Sequence, residues 1–380
     1  MAETRILIGG DLCPTNANAE YFCNGDARAL FHDLLEEFEA ADLAVANLEC
    51  PLVERKSPIP KTGPVLEGAS EAVEGIARSH IRCLGLANNH ILDHGAAGLE
   101  NTLRVCATAG IQTFGAGRNL EEAGRALVVN AGPLRIGLVG ASEQEWSIAT
   151  ARCPGANPMD LIDCARTLNR LREDVDFSIV LLHDGAEYYP FPSPRLRKVC
   201  RFLVDQGAGL VVCQHSHCAG AFEAYGRGHI VYGQGNLISD SSGRDGGWHE
   251  GFLIRLAISS DLSANWQPVT YTQSDPPPGA RRMPPERERL FLEALAERSR
   301  AILDDAFVAR SWEQFCQRQR HSLMSFVLGH GRLLRRLNQT GGIVRHVHGK
   351  QRLREIKNCV VSDTNREVFL QALDQYLEEN

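Results

Sequence analysis

Six polar side chains follow short apolar runs in this 380-residue sequence, and together they could bind metal ions. They are two carboxylates, one amide and three imidazoles: Asp11, Glu49, Asn89, His183, His215 and His217. Each residue alone could equally cap a turn, but six in the same setting make coincidence a poor explanation. A mixed oxygen and nitrogen set suits Mn, Fe or Zn and is poor for Mg or Ca alone. The sequence therefore predicts a site for one or two divalent transition metal ions.

The segment 84–98, LGLANNHILDHGAAG, adds two groups that could act on a substrate. His90 follows Asn89 and could donate a proton to a leaving oxygen as a general acid. Asp93 lies three residues further along and could hold the other ring nitrogen of His90. Two asparagines followed by a histidine are costly to bury unless they have partners. We expect His90 and Asp93 to be catalytic, and a capped turn is the alternative.

The apolar runs before these residues have the length of buried strands in an α/β protein. Strands are predicted at 6–8, 43–46, 83–86, 177–182 and 210–213, and amphipathic helices at 27–40, 70–79, 96–109, 160–173 and 195–206. Residues 141–159 show no regular pattern. Ligands bind at the carboxyl ends of strands in such proteins, so this order would bring the six side chains together. In a long loop over 54–68, Lys61 could contact a substrate or be solvated.

Charge and cysteine usage exclude several classes of protein. The net charge of −7 gives no reason to expect a nucleic acid partner. The twelve cysteines include no CxxC pair, so we expect free thiols in a reducing compartment rather than disulfides or a zinc ribbon. The sequence opens almost directly on a predicted strand, and no apolar run approaches about 18 residues. We therefore expect a cytoplasmic protein without a transmembrane segment.

The composition changes after residue 272. The stretch 273–287 is rich in proline and arginine and is predicted to be a linker between a domain over 1–272 and a helical extension over 288–380. Helices are predicted at 288–307, 310–337 and 364–378. The middle of this extension is basic, with Arg318, Arg320, Arg332, Arg335, Arg336, Arg345, Arg352 and Arg354. These arginines indicate either a solvated basic face or a docking surface.

The order of the motifs resembles the CapA family of capsule synthesis proteins, also described as poly-γ-glutamate synthesis proteins of the PgsA type. The matching motifs are Gly10-Asp11, Asn47-Leu48-Glu49, 88–95, 183–188, 215–217 and Gly235-Asn236. Lys61 also stands where that family places a lysine. The resemblance covers residues 5–272. The family is similar to calcineurin-like metallophosphoesterases, which implies a four-layer α/β/β/α sandwich with a two-metal site, followed here by the C-terminal helical extension.

The resemblance also implies roles for individual residues. One metal would be held by Asp11, Glu49 and His217, and the other by Glu49, Asn89, His183 and His215, with Glu49 bridging. Within the same motifs, we expect Asn47, Lys61 and Glu187 to contact the substrate, a phosphorylated or anionic polymer. Metallophosphoesterases usually begin with Asp-x-His, and here the third position is Cys13. A ligand of the first metal is therefore missing or replaced by a thiolate.

These observations favour a metal-dependent phosphoester hydrolase linked to capsule polysaccharide or poly-γ-glutamate synthesis. The alternative is a weakly catalytic or non-catalytic component of the machinery that makes and exports the polymer. In either case the basic C-terminal helices could bind partner proteins of capsule synthesis. A third possibility, an amide hydrolase acting on γ-glutamyl chains, would use the same metals.

Overall fold

The structure is a computed structural model that describes residues 3–61, 63–240, 246–274, 277–328 and 349–361. The chain forms two compact units, Met1–Ala309 and Arg310–Asn380. The strands are β1 Thr4–Cys13, β2 Leu43–Leu48, β3 Leu52–Val53, β4 Gly68–Ala69, β5 Cys83–Gly85, β6 Gln112–Phe114, β7 Ala116–Gly117, β8 Leu127–Ala131, β9 Leu134–Ser142, β10 Gly155–Ala156, β11 Phe177–His183, β12 Leu210–Gln214, β13 Phe222–Tyr225, β14 Gly228–Val231, β15 Asn236–Ser239, β16 Glu250–Ile258, β17 Ala264–Gln273 and β18 Ala280–Arg282. The helices are α1 Ala19–Cys23, α2 Ala27–Phe31, α3 Leu35–Glu39, α4 Val73–Arg78, α5 Gly95–Thr108, α6 Leu120–Ala123, α7 Leu161–Leu171, α8 Pro194–Asp205, α9 Pro285–Ala301, α10 Asp305–Leu328 and α11 Lys350–Val361.

Two sheets form the centre of the first unit. The first sheet has the order β18-β17-β16-β1-β2-β5-β6, and β15 also pairs with β1. The second sheet has the order β13-β14-β12-β11-β9-β8. Strands β1, β2 and β5 are parallel to one another, as are β9, β11, β12 and β14. Parallel pairing places the carboxyl ends of these strands at a common edge in each sheet, which is where the polar motifs begin.

The side chains of each sheet alternate between two buried faces. Ile6 and Ile8 of β1 pack between the sheets, together with Ile179 of β11, whereas Leu7 packs against helices on the outer side of the first sheet. On the outer side of the second sheet, Val180 packs with residues of α7 and α8. Strands buried on both faces read as continuous apolar runs, which is why the sequence predicted them. The predicted four-layer α/β/β/α sandwich is confirmed.

The predicted helix over 27–40 is interrupted. Helix α2 ends at Phe31, a 3₁₀ turn covers His32–Leu34, and α3 begins at Leu35. His32 has a φ of 44°, which the interior of a right-handed α-helix does not allow, and Nε2 of its ring lies 3.0 Å from the carbonyl oxygen of Pro278. A contact with a residue so distant in sequence explains why helical periodicity alone missed the break.

The predicted linker over 273–287 also differs from the structure. Residues 280–282 form strand β18, which pairs with the end of β17, and α9 begins at Pro285. The first unit continues to Ala309, beyond the predicted boundary at 272, because Phe291 and Leu295 of α9 are buried in the core between the sheets. Two arginines of this stretch therefore lie in strand β18, and one of its prolines, Pro285, begins helix α9.

The C-terminal helices are described only in part. Helix α10 covers the beginning of the helix predicted at 310–337, and α11 lies where no helix was predicted. The helix predicted at 364–378 lies outside the described residues, as do Arg332, Arg335, Arg336 and Arg345. None of the helices in the described ranges combines the length and apolar character that a membrane span requires.

Candidate metal centre

The carboxyl end of β1 is shaped to present Asp11. The pairing of β1 with β2 shifts register between Ile8 and Asp11, and the pairing with β15 shifts just after Asp11. Gly10 makes this possible, because a Cβ there would lie 2.1 Å from the carbonyl oxygen of Gly235. The Gly-Asp motif is thus a close backbone crossing followed by a buried carboxylate.

Two groups of possible metal ligands share Glu49. Asp11, Glu49 and His183 form one group, and Glu49, His215 and His217 form the other, with the donor atoms of each group within 4.8 Å of one another. Glu49 Oε1 lies 3.5 Å from Nε2 of His183 and 3.7 Å from Nε2 of His217. Asp11 is nearly equidistant from these two rings, at 3.9 Å from Nδ1 of His183 and 3.8 Å from Nδ1 of His217. These groups place His183 with Asp11 and His215 with His217, whereas the family pattern would place His217 with Asp11.

The environment of Glu49 fits a cation. Its Oε1 is buried and has no hydrogen-bond partner in the part of the chain that the structure describes. Burial, and next the negative charge of Asp11, raise the pKa of Glu49 well above its usual range. A buried carboxylate oxygen without a partner is unfavourable, and a divalent ion would satisfy it. These residues could bind a metal ion, because they supply carboxylate oxygens and imidazole nitrogens around one point.

The loop after β12 curls so that two imidazoles face this point. His215 and His217 have φ values of 84° and 53°, in the left-handed region that residues other than glycine rarely adopt. Such backbone strain costs about 1–3 kcal/mol per residue and concentrates at functional sites. The backbone N–H of His215 donates to Oδ2 of Asp11 at 3.1 Å, and Nδ1 of His217 lies 2.9 Å from Oδ1 of Asn236. These contacts hold the strained loop in place.

The three imidazoles differ in their electrostatic setting. Burial lowers the pKa of His183 well below its usual range and also lowers the pKa of His217. Burial acts in the same direction on His215, but the hydrogen bond and negative charge of Glu143 outweigh it and raise the pKa of His215 to about 9. A neutral imidazole is the form that binds metal, so His183 and His217 are already in the form of a ligand at neutral pH.

A second cluster lies beside the metal centre. Nδ1 of His90 is 2.6 Å from Oδ2 of Asp93, and Nζ of Lys61 is 2.6 Å from Oδ1 of the same carboxylate. The Lys61 side chain is only 2% exposed, so it is not a solvated loop lysine. The backbone N–H of Leu66 also donates to Asp93, which ties the 54–68 loop to this cluster. The contact expected between His90 and Asp93 is present, and their catalytic role stays a prediction.

Comparison with known proteins identifies the family. The model of the bacterial capsule synthesis protein family PGA_cap matches residues 5–241. The chain belongs to this family. It is 28% identical over 220 residues to the capsule biosynthesis protein CapA of Bacillus anthracis, covering 56% of this chain and 54% of the relative. It is 25% identical over 262 residues to the PGA biosynthesis protein CapA of Bacillus subtilis (strain 168), covering 66% and 67%. The chain thus spans about half the length of the first relative.

Two of the solved structures with partial similarity to this chain are a hypothetical protein and a 5′-nucleotidase. A hypothetical protein from Thermus thermophilus matches 71% of this chain and 99% of its own, with 14% identity and a TM-score of 0.45. The 5′-nucleotidase of Candida albicans SC5314 matches 83% of this chain and 58% of its own, with 10% identity and a TM-score of 0.44.

Three residues singled out in the sequence have contacts that the family pattern did not specify. Asn47 is buried, and its Nδ2 donates to Oδ1 of Asp11 at 2.7 Å, so its amide is engaged within the metal centre. Glu187 is exposed in the loop after β11, and its negative charge contributes to the raised pKa of Glu49. Cys13 is buried close to Cys50, and it belongs to neither ligand group among the described residues.

Sequence reasoning missed several side chains of the centre. Glu143 and Glu145 come from the segment 141–159, which showed no regular pattern, and they contact His215 and Asn89. The rule that found the other residues applies to Glu143 as well, since it directly follows the apolar strand β9. The ring centroids of Trp248 and His217 lie 4.7 Å apart, and no sequence motif pointed to Trp248.

Proposed function

We propose that this protein is a metal-dependent phosphoester hydrolase that acts on a phosphorylated or anionic polymer in capsule polysaccharide or poly-γ-glutamate synthesis. The observation that carries the proposal is the placement of the His90–Asp93–Lys61 cluster next to two ligand groups that share Glu49. One or two divalent transition metal ions, Mn, Fe or Zn, would supply Lewis acidity there, polarising a phosphoryl oxygen and lowering the pKa of a water molecule.

The protein's own residues would manage the proton of the leaving group. Asp93 accepts the Nδ1 proton of His90, so Nε2 is the nitrogen that donates a proton to the leaving oxygen. Burial opposes ionisation of Asp93, but its hydrogen bonds with His90 and Lys61 outweigh burial and lower its pKa. Asp93 therefore stays a carboxylate at neutral pH and fixes the orientation of the His90 ring.

Replacing His90 by alanine tests this assignment. The variant should keep its fold and its metal, because His90 is in neither ligand group. It should slow hydrolysis of esters with poor leaving groups by about 10²- to 10⁴-fold, the usual effect of a positioned acid. Esters with good leaving groups need less protonation and should be slowed less. The assay is a leaving-group series of aryl and alkyl phosphates, with the melting temperature measured alongside.

His80→Ala is the matched control, because His80 is an exposed histidine that lies before the amino end of β5, whereas the centre lies at the carboxyl ends of the strands. It should leave the leaving-group dependence unchanged. Equal slowing of all esters by His90→Ala, with a lowered melting temperature, would assign His90 to packing instead. A metal-loaded protein that hydrolyses none of these esters would rule out the hydrolase.

A second candidate function is a weakly catalytic or non-catalytic component of the polymer-synthesis machinery. Cys13 supports it, because the position where metallophosphoesterases carry a ligand histidine holds a buried free thiol. This candidate predicts fewer than two ions per chain by elemental analysis and negligible turnover of an aryl phosphate. Cys13→His should then raise both quantities. Partner proteins would bind the basic C-terminal helices, where Arg318 of α10 is exposed.

We also propose that the protein works in the cytoplasm. The cysteines whose side chains the structure describes are all free thiols, and most of them are buried. Oxidising compartments favour disulfides, so free thiols support a reducing environment. Thiol counting on denatured protein, with and without prior reduction, should give nearly equal values close to twelve. A large increase after reduction would place the protein in an oxidising compartment.

A further inference from the structure

Two carboxylates outside the predicted site contact two of the side chains that would hold a metal ion. Oε1 of Glu143 lies 2.9 Å from Nε2 of His215, and Oε2 of Glu145 accepts a hydrogen bond from Nδ2 of Asn89 at 2.8 Å. We propose that Glu143 and Glu145 are positioning residues that fix His215 and Asn89 and thereby raise the affinity of the centre for a divalent ion. The inference rests on the metal centre of the proposed function and does not require turnover.

Glu143 selects which nitrogen of His215 faces the centre. Nδ1 of His215 is 3.2 Å from Nε2 of His183, which is itself 3.5 Å from Oε1 of Glu49. Nε2 of His215 points the other way, to Glu143. In the neutral imidazole that binds a metal, the Glu143 carboxylate accepts the Nε2 proton and the lone pair of Nδ1 is directed to the other ligands. A carboxylate in this position fixes the tautomer and makes the imidazole a stronger donor.

Glu145 selects which end of the Asn89 amide faces the centre. Oδ1 of Asn89 lies 3.1 Å from Nε2 of His183, while Nδ2 is held by Glu145. An amide binds a cation through its oxygen, because the NH₂ group only donates hydrogen bonds. Without Glu145 the amide could turn over and present NH₂ to the ion. One short segment therefore orients ligands that come from two different sheets.

Hydrogen bonds hold the segment 143–147 at both ends. The backbone N–H of Glu143 donates to the carbonyl oxygen of His183 at 3.0 Å. Oγ of Ser147 donates to the carbonyl oxygen of Asn89 at 2.8 Å. Glu143 is the better shielded carboxylate, with its side chain 29% exposed, whereas Glu145 is exposed. Water competes less at Glu143, so its removal should have the larger effect.

A separate metal site is the alternative use of these residues, because atoms of Glu143, Glu145 and His215 lie within 4.8 Å of one another. Two observations favour positioning. Each carboxylate is already bonded to a different side chain, and Nδ1 of His215 faces the other ligand groups. The alternative predicts that removing Glu145 lowers the number of ions bound, whereas positioning changes only their affinity.

The test measures Co²⁺ binding to the full-length, metal-free protein by isothermal titration calorimetry and by the visible absorption of bound Co²⁺. Glu143→Ala should weaken binding by about 10- to 100-fold and change the absorption bands. Glu143→Gln, which can still accept the hydrogen bond, should fall between this variant and the unmodified protein. Glu145→Ala should weaken binding less. Glu173→Gln is the charge-matched control, because Glu173 is exposed near the amino end of β11, and it should bind Co²⁺ normally.

Unchanged affinity and spectrum in both Glu143 variants would overturn the proposal, as would an ion lost per chain in Glu145→Ala. If Glu143→Ala does not fold, the Co²⁺ affinity of Glu143→Gln alone tests the proposal, because that variant should bind more weakly than the unmodified protein. Failure of the unmodified protein to bind Co²⁺ would overturn this proposal together with the metal centre. Co²⁺ binding that responds to the variants as expected, without hydrolysis of any ester, would overturn only the hydrolase.

Discussion

Replacing Asp93 by asparagine perturbs three contacts at once. The Asp93 side chain is 0% exposed and binds Lys61 at 2.6 Å, His90 at 2.6 Å and the backbone N–H of Leu66 at 2.7 Å. Asparagine has a similar shape but carries no charge, and it has only one oxygen to accept hydrogen bonds. The substitution therefore leaves the Lys61 ammonium buried without its counter-charge.

The size of the effect follows from this burial. Removing one partner of a buried ion pair costs about 3–5 kcal/mol, because the remaining charge stays desolvated. Lys61 meets that condition, since its side chain is 2% exposed. Asp93→Asn should therefore lower the free energy of unfolding by about 3–5 kcal/mol and the melting temperature by on the order of 10 °C. Activity on esters with poor leaving groups should fall as well, because His90 loses its fixed orientation.

A second substitution separates charge burial from packing. Lys61→Met removes the cation, and the double variant with Asp93→Asn removes both partners of the Lys61–Asp93 ion pair. Chemical denaturation of the unmodified protein, the two single variants and the double variant should show that the double variant recovers much of the lost stability. Activity should not recover, since stability and His90 orientation are separate consequences of Asp93.

The pH dependence provides an independent check. The pKa of Asp93 is lowered in the folded protein, so its stabilisation is present above the unfolded pKa of about 3.9 and is lost as the pH falls through the folded value. The stability difference between the unmodified protein and Asp93→Asn should shrink in that acidic range. A difference below about 1 kcal/mol at neutral pH, or a double variant as unstable as the single one, would refute the buried-pair reasoning.

Three further predictions concern the backbone of the centre, the metal and an ion pair elsewhere. Gly10→Ala should destabilise the protein by about 1–3 kcal/mol in chemical denaturation, because the new Cβ would lie 2.1 Å from the carbonyl oxygen of Gly235. Chelation should lower the melting temperature of metal-loaded protein and added Zn²⁺ or Mn²⁺ should restore it, since a ligand of the folded state stabilises that state; identical melting curves would contradict the metal centre. Glu37→Gln should reduce stability at neutral pH and progressively less at acidic pH. Burial opposes ionisation of Glu37, but hydrogen bonds with Arg255 and Arg282 outweigh burial and lower its pKa. The stabilisation by Glu37 is therefore present above its unfolded pKa of about 4.3 and is lost as the pH falls through its folded pKa. Denaturation curves at several pH values measure that difference.

The buried strands and the candidate ligand positions at their carboxyl ends could be predicted from local patterns, whereas the four layers were implied by the family resemblance. A strand buried on both faces is a short apolar run, and parallel strands end at one edge, so a polar residue after such a run is a candidate ligand. This reasoning found Asp11 near the carboxyl end of β1 and His183 at the end of β11. It needed no knowledge of which strands are neighbours, since any parallel order brings the ends together.

The limits of the first unit could not be predicted in this way. The stretch over 273–287 has the composition of a linker, but Arg282 pairs with Tyr271 in the first sheet, and α9 buries Phe291 between the sheets. Whether an amphipathic helix ends a domain or extends it depends on which surface it covers. That surface is formed by strands far away in the sequence, so local composition does not reveal it.

Sequence distance also explains which contacts of the centre were predicted. Asp93 was assigned to His90 because three residues separate them, and a turn can bring such neighbours together. Glu145 reaches Asn89 across 56 residues, and its role depends on how the two sheets pack. The residues that would hold a metal are thus encoded by pattern, strand by strand, whereas the residues that orient them are encoded only by the packing of one sheet on the other. For this reason a substitution at Glu143 or Glu145 tests the packed structure more directly than a substitution of any ligand.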